Sequence, residues 1–256
     1  MRATADVDAA SGMRGARQMQ KTLSTDQIEA FYHDEFVEDQ TRDFISLVGR
    51  GSGLRVTDVG GGCGFFALRL AHLTGANVRV IDTDPASVDA CRRAGIEAIC
   101  GDALDPAITA DDGIVSFNLI LHHLIGASER VTLDLQRKAL AAWRTHARAV
   151  FVNEYIYESW IGGFSGWLIF RVTSSRILSR IARAIATVVP SLKANTFGVG
   201  VRFRSHREWV RIFAAAGYDV KACVVGKGER VSLPRRLLLI KSIHRDSFLL
   251  QPKATP

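Results

Sequence analysis

The run Val56-Thr57-Asp58-Val59-Gly60-Gly61-Gly62-Cys63-Gly64-Phe65-Phe66 constrains this chain more than any other segment. It reads as an apolar strand, an acid, a cluster of glycines and the start of an apolar helix. Glycine tolerates positive φ and lets a ligand touch bare main chain. A helix beginning near Gly64 presents unpaired N–H groups and a partial positive charge. That end suits an anion, either a phosphate or a carboxylate. A tight turn without a ligand is the plainer use of glycine, but such a turn does not need so many in a row.

The segments that follow repeat the alternation of strand and helix. Asn77-Val78-Arg79-Val80-Ile81-Asp82-Thr83-Asp84-Pro85 predicts a buried strand ending in acids, with Pro85 in the first turn of a helix to about Gly95 and Asp84 as its N-cap. A third strand, Glu97–Cys100, runs into Gly101-Asp102-Ala103-Leu104. A fourth, Ile114–Leu121, ends in His122-His123-Leu124. After a helix over about 129–145 comes a fifth strand, Ala149–Tyr155. Two more apolar stretches, Tyr218–Val225 and Leu237–Ile243, are joined by a segment too short for a crossover helix, which predicts an antiparallel hairpin. Strands alternating with helices predict a parallel sheet covered on both faces.

Taken as a set, Asp58 to Gly64, Asp82, Gly101-Asp102 and the closing hairpin resemble the class I S-adenosylmethionine (SAM) methyltransferases of the small-molecule type, over roughly residues 50–158 and 205–245. The resemblance implies an α/β fold with a Rossmann-like seven-stranded sheet, mostly parallel, and S-adenosyl-L-methionine as cofactor. It carries Asp58, Gly60, Gly61, Gly62 and Gly64 over as the loop around the methionine moiety. It makes Asp82, with Thr83 beside it, the acid that holds both ribose hydroxyls. A carboxylate can accept both hydrogen bonds of a vicinal diol. Asp102 and the N–H of Ala103 then meet the adenine, and Leu121 closes the fourth strand at the cofactor. Asn118 departs from the acid often found at its position. The chain has no Asn/Asp-Pro-Pro-Tyr and no Pro-Cys nucleophile, which argues against a nucleic-acid base as acceptor.

His122 and His123 stand where the methyl group is expected, and a histidine suits the role of base toward a hydroxyl. Strand alternation would let only one of them point inward. Glu154, Tyr155 and Tyr157 on the next strand end are further candidates. No cluster of acids suggests a metal. Gly62-Cys63-Gly64-Phe65-Phe66-Ala67 also fits the dinucleotide pattern G-x-G-x-x-G/A. An NAD(P)-binding oxidoreductase therefore remains an alternative, as does a non-catalytic SAM-binding protein that contacts a membrane or partner.

The chain divides into a disordered tail (1–24), an N-terminal helical cap (25–50), a cofactor-binding core (51–158), a basic helical insertion (159–204) and a C-terminal helix with the hairpin (205–256). The cap helix reads Ile28, Phe31, Tyr32, Glu35 and Phe36 at helical spacing, with Tyr32 and His33 able to face a substrate. Cys63, Cys91, Cys100 and Cys223 stand apart with no C-x-x-C pair, which reads as reduced thiols in the cytoplasm, not a zinc site or a disulfide framework.

From Ser159 to Arg207 there is no acid, while Arg171, Arg176, Arg180, Arg183, Lys193, Arg202, Arg204 and Arg207 fall there, so the net charge of +7 is concentrated in this stretch. Arg176, Arg180 and Arg183 share a helix face beside Ile177, Leu178, Ile181, Ile185 and Val188. A lid over a small or lipid-like acceptor, or peripheral membrane contact through 160–190, would use such a segment. Arg202, Arg204 and His206 could line an acceptor pocket, with Ser205 as a helix cap. RNA binding has the charge but no recognisable module.

Overall fold

The computed structural model describes residues 36–50, 53–192 and 196–254. The tail at 1–24 and the part of the expected cap that holds Tyr32 and His33 lie outside the described residues. The elements run α1 (Val37–Val48), β1 (Arg55–Val59), α2 (Phe65–Thr74), β2 (Val78–Asp82), α3 (Pro85–Arg93), β3 (Glu97–Cys100) and β4 (Asp112–Asn118). They continue α4 (Glu129–Ala141), β5 (Ala149–Ser159), α5 (Phe164–Ser174), α6 (Arg176–Val188), α7 (His206–Ala215), β6 (Tyr218–Val225), α8 (Leu233–Leu237) and β7 (Ile240–Pro252). One seven-stranded sheet has the order β3-β2-β1-β4-β5-β7-β6. The first five strands pair in parallel, and β7 is antiparallel to both β5 and β6.

Period-two alternation sends the strand residues to two cores. Val59, Ile81, Phe117, Val150 and Val152 face α4 and α7, where they meet Leu140, Trp143, Trp209 and Phe213. Val56, Val78, Val80 and Phe151 face the other way, against Phe44, Phe66, Leu70 and Cys91 of α1, α2 and α3. Phe44, Phe66 and Phe151 form an aromatic cluster with centroids 5.1–6.4 Å apart. Helix α1 is further tied to the sheet by polar contacts: Asn153 donates to Ser247 Oγ (2.8 Å), which donates to Asp43 (2.9 Å).

Three sequence expectations need correction. The fourth strand stops at Asn118, and Leu121–His123 form a 3-10 turn. The cause is Leu119, whose φ of 54° turns the chain out of the sheet. The last strand begins at Ile240, because Leu237 belongs to the short helix α8, which opens on Ser232 with Pro234 in its first turn. The third concerns Arg202 and Arg204, whose charges are not free. Both are buried and pair with Glu129 (2.9 Å each), and Arg202 also pairs with Glu208 (2.9 Å).

At the bottom of the sheet Arg79 and Asp112 form a buried ion pair that Thr57 bridges, donating to Asp112 (2.6 Å) and accepting from Arg79 Nε (3.1 Å). Removing one partner of a buried pair strands the other charge. Asp112→Ala is therefore expected to cost about 3–5 kcal/mol in urea unfolding, whereas replacing Arg79 and Asp112 together by Met and Leu should restore most of it.

Candidate active site

The glycine loop is shaped by what lies beneath and beside it. At the end of β1, Gly60 N–H donates to Ile81 O (2.7 Å). Asp82 then clasps the loop from β2: one carboxylate oxygen accepts from Gly62 N (2.8 Å) and the other from Asp84 N (2.9 Å). At Gly61 and Gly64, as at Gly60, a side chain would collide with its neighbours. A Cβ on Gly61 would lie 2.5 Å from Asp58 Oδ2, and one on Gly64, at φ 78°, would lie 2.7 Å from Cys91 Sγ. Asp84 caps α3, accepting from Ser87 N (2.9 Å), as its place before Pro85 implies. Gly101 N–H donates to Asp82 O (2.9 Å), so Asp102 follows directly on the clasp, with Oδ1 accepting from Leu104 N (2.9 Å). Thr83 is exposed next to Asp82, and Ala103 is buried beside Asp102. The ends of β1, β2 and β3 thus bring the glycines, Asp82 and Asp102 to one edge of the sheet.

Asp58 is fully buried under the loop. Its Oδ1 accepts from Asn118 Nδ2 (3.0 Å), which also donates to Ser116 Oγ (2.7 Å). Its Oδ2 receives no hydrogen bond from the described residues. Burial pushes the carboxyl up to about 7, against the hydrogen bonds from Asn118 and Ser116 and with a smaller push from the Asp82 charge. Asn118, where the expected acid is missing, has a role that could not be assigned from sequence: from the end of β4 it holds Asp58 of the neighbouring strand β1.

At the head of β4 and β5 a second site is built around Glu154, which is fully buried. Glu154 Oε1 accepts from Leu121 N (2.7 Å) and His122 N (3.3 Å), and Oε2 from Tyr155 N (3.2 Å). Oε2 also lies 2.6 Å from His122 Nδ1. Leu121 is thereby fixed through its main chain. The imidazole of His123 lies 4.2 Å from that of His122, and burial, with His122 beside it, holds it well below the usual histidine range, so it is neutral. Both histidines belong to the 3-10 turn, so strand alternation does not separate them. Tyr157 and Phe203 stack at 4.2 Å, Phe203 meets His122 at 5.0 Å, and Tyr155 meets Phe36 at 6.1 Å. Burial pushes the Tyr157 phenol up to about 12.

Other sequence candidates are used elsewhere. Ser205 caps α7 in a reciprocal box with Glu208. Arg202 and Arg204 fasten that cap to α4, as described. His206 Nδ1 lies 2.6 Å from Asp246, near Cys223, whose thiol burial pushes up to about 12.

Comparison with known proteins finds the same fold elsewhere. Among solved structures, magnesium protoporphyrin IX methyltransferase from Synechocystis PCC 6803 with bound SAH superposes at a TM-score of 0.54 and 12% identity, covering 86% of this chain and 84% of that one. The fold is that of the class I SAM-dependent methyltransferases. The [4+2]-cyclase SpnF matches at a TM-score of 0.55 and 13% identity, over 85% of this chain and 81% of that one. One fold therefore carries more than one named activity. A curated ribosomal protein L11 methyltransferase from Symbiobacterium thermophilum is 33% identical over 116 residues, 43% of this chain and 38% of that protein. The match spans well under half the length of that relative. A family model, the TrkA-N domain, matches residues 61–140. Among the described residues no helix is long and apolar enough to cross a membrane.

The raised carboxyl of Asp58 has a signed consequence. Between the ordinary carboxylate value and about 7 the native protein keeps a proton that the unfolded chain has lost, so this group's contribution to stability falls as pH rises through that window. Asp58→Asn keeps the Asn118 contact and removes the titration. The stability difference, wild type minus variant, should decline by roughly 1 kcal/mol per pH unit from pH ~4 to ~7 in denaturant titrations without ligand.

Proposed function

We propose that this chain is a SAM-dependent methyltransferase acting on a small-molecule or lipid-like acceptor, with transfer to oxygen. The observation that carries the reading is Asp82, held at the sheet edge by the very loop it clasps. Each of its oxygens accepts one backbone N–H. A carboxylate has about four acceptor sites, so capacity remains for the two hydroxyls of a ribose.

The remaining donors and acceptors suit the same cofactor. Asp58 Oδ2 is a buried oxygen without a hydrogen bond, under a loop in which Gly62 is open above its α-carbon. That oxygen is matched to a cofactor bearing a cationic group. Gly64 opens α2, where a carboxylate finds free N–H groups. Asp102 and the Ala103 N–H follow at the next strand end, in position for a base edge. When bound, SAM supplies a methyl group on a good leaving group, so the protein's task is chiefly to position the acceptor.

His122 is the residue we assign to the acceptor hydroxyl. Glu154 beside Nδ1 fixes the tautomer with the proton on that nitrogen, which leaves Nε2 to take a proton. His123, held neutral, lies alongside as an aromatic and polar wall with Tyr155 and Phe203. An acceptor with an apolar body suits that lining. A lipid-like acceptor would be met at a bilayer surface, and segment 160–190 is where contact would be made.

Isothermal titration separates the cofactor readings. SAM should bind and NAD should not; the opposite pattern would make the oxidoreductase reading the right one. Asp82→Ala should weaken SAM by about 10- to 100-fold, as loss of a charge-assisted hydrogen-bond pair does, with the thermal midpoint reporting any damage to the loop.

Transfer of labelled methyl from SAM into a fractionated cell extract tests the chemistry. His122→Ala and Glu154→Gln are expected to slow label uptake by roughly 100-fold while SAM affinity stays level. Undiminished uptake in both would remove the base and, with it, the case for oxygen.

A further inference from the structure

Helix α6 is turned the wrong way for a helix that belongs to a protein core. Its buried residues are Ser179 and Ala186. Ser179 Oγ donates to Val172 O (2.8 Å) and accepts from Gly198 N (2.9 Å), which seats this small-residue side on α5 and the following loop. At about 100° per residue, Ile181, Ile185 and Val188 lie roughly 100–180° around the axis from that side. They point into solvent: Ile177 is 72% exposed, Ile181 53% and Val188 82%. A surface helix ordinarily buries its apolar stripe. Here the stripe is offered outward.

The adjoining elements add to it. Trp160 and Ile161, in the turn after β5, are exposed, as are Leu233 and Leu237 of α8. Trp160 N donates to Leu239 O (3.0 Å), and Arg235 Nε donates to Ser191 O (3.0 Å), so the turn, α8 and the end of α6 are fastened to one another. Lys241 lies over the Trp160 ring at 5.5 Å.

We infer that this composite face docks on an anionic lipid bilayer, with α6 lying in the plane of the headgroups. Charge decides between occupants. Residues 159–207 contain no acid, and neither do residues 230–245, which hold Arg230, Arg235, Arg236, Lys241 and Arg245. A two-fold contact with a second copy would set the same basic rim against itself with no acid to answer it. An anionic membrane answers it, and each nearby basic residue adds attraction. Aliphatic residues beside Arg176 and Arg180, with an exposed tryptophan, are the composition that settles at the boundary between headgroups and acyl chains. Helix α6, at 13 residues, is too short to span. Since it involves no cofactor residue, the inference stands or falls apart from methyl transfer.

Vesicle flotation without added cofactor tests it, using the whole chain and phosphatidylcholine vesicles with and without phosphatidylglycerol. The wild type should float only with the anionic vesicles and detach as salt rises. Ile181→Asp with Ile185→Asp should cut the bound fraction by about tenfold or more, and Arg176→Gln with Arg180→Gln by a similar factor. All four positions are exposed, so circular dichroism and the thermal midpoint should not move. Equal flotation with neutral vesicles, no flotation at all, or flotation indifferent to the isoleucine changes would each overturn the inference. So would a wild-type dimer in light scattering that Ile181→Asp splits while vesicles go unbound.

Discussion

Two carboxylates, one below the glycine loop and one beside it, set the arrangement on which the rest of the site depends. Asp82 spends one lone pair on each of two backbone amides, and so locks the exit of β1 to the exit of β2. Asp58 fills the space that a side chain at Gly61 would take. Gly61 is thus explained before any ligand is considered, by the acid packed against it, as Gly64 is by Cys91. Burying a carboxyl with only partial hydrogen bonding is unfavourable, and that burial pushes the Asp58 carboxyl up.

The sheet order places the second half of the site. Strand order reverses between β1 and β4, and crevices at such a switch lie beyond the carboxyl ends of the strands. The exit of β4 lies there, and Glu154, in β5 just past its last pair with β4, does there what Asp82 does at the exit of β2. It gathers the amides of Leu121, His122 and Tyr155 and orients an imidazole. In both places a single acid organises a turn, the glycine loop in one case and the 3-10 turn in the other. Leu119 in the left-handed region is the hinge that makes the second turn possible, and its conformation is maintained by the bond from its N–H to Asn153 O (2.8 Å).

Local chemistry was readable in the sequence wherever it depends on neighbours along the chain. The Asp84 cap before Pro85, the Ser205 cap, the glycine loop and the final antiparallel pair all rest on contacts within a few residues or on period-two patterns. Contacts between distant residues were not readable. Asn118 meets Asp58 across 60 positions, and Glu154 meets His122 across 32. Nothing in the run Asn118–His123 announces that a leucine will take positive φ, since that choice is made by the sheet's register and by Glu154, not by leucine's own preference. Composition misled over Arg202 and Arg204, because the acids that neutralise them lie on α4 and α7, outside the acid-free stretch.

That reassignment sharpens the meaning of the charge that remains. With Arg202 and Arg204 buried and paired, the exposed cations of α6 are Arg176, Arg180 and Arg183, beside its outward apolar stripe. Sequence periodicity finds an amphipathic helix but not which side faces home. Here the answer comes from Ser179 and Ala186, which let α6 sit close on α5 through its small-residue side. The packing that fixes the helix to the protein is what leaves its isoleucines outside. Contiguous apolar surface of this kind marks an interaction site, and arginine beside isoleucine narrows what it can meet.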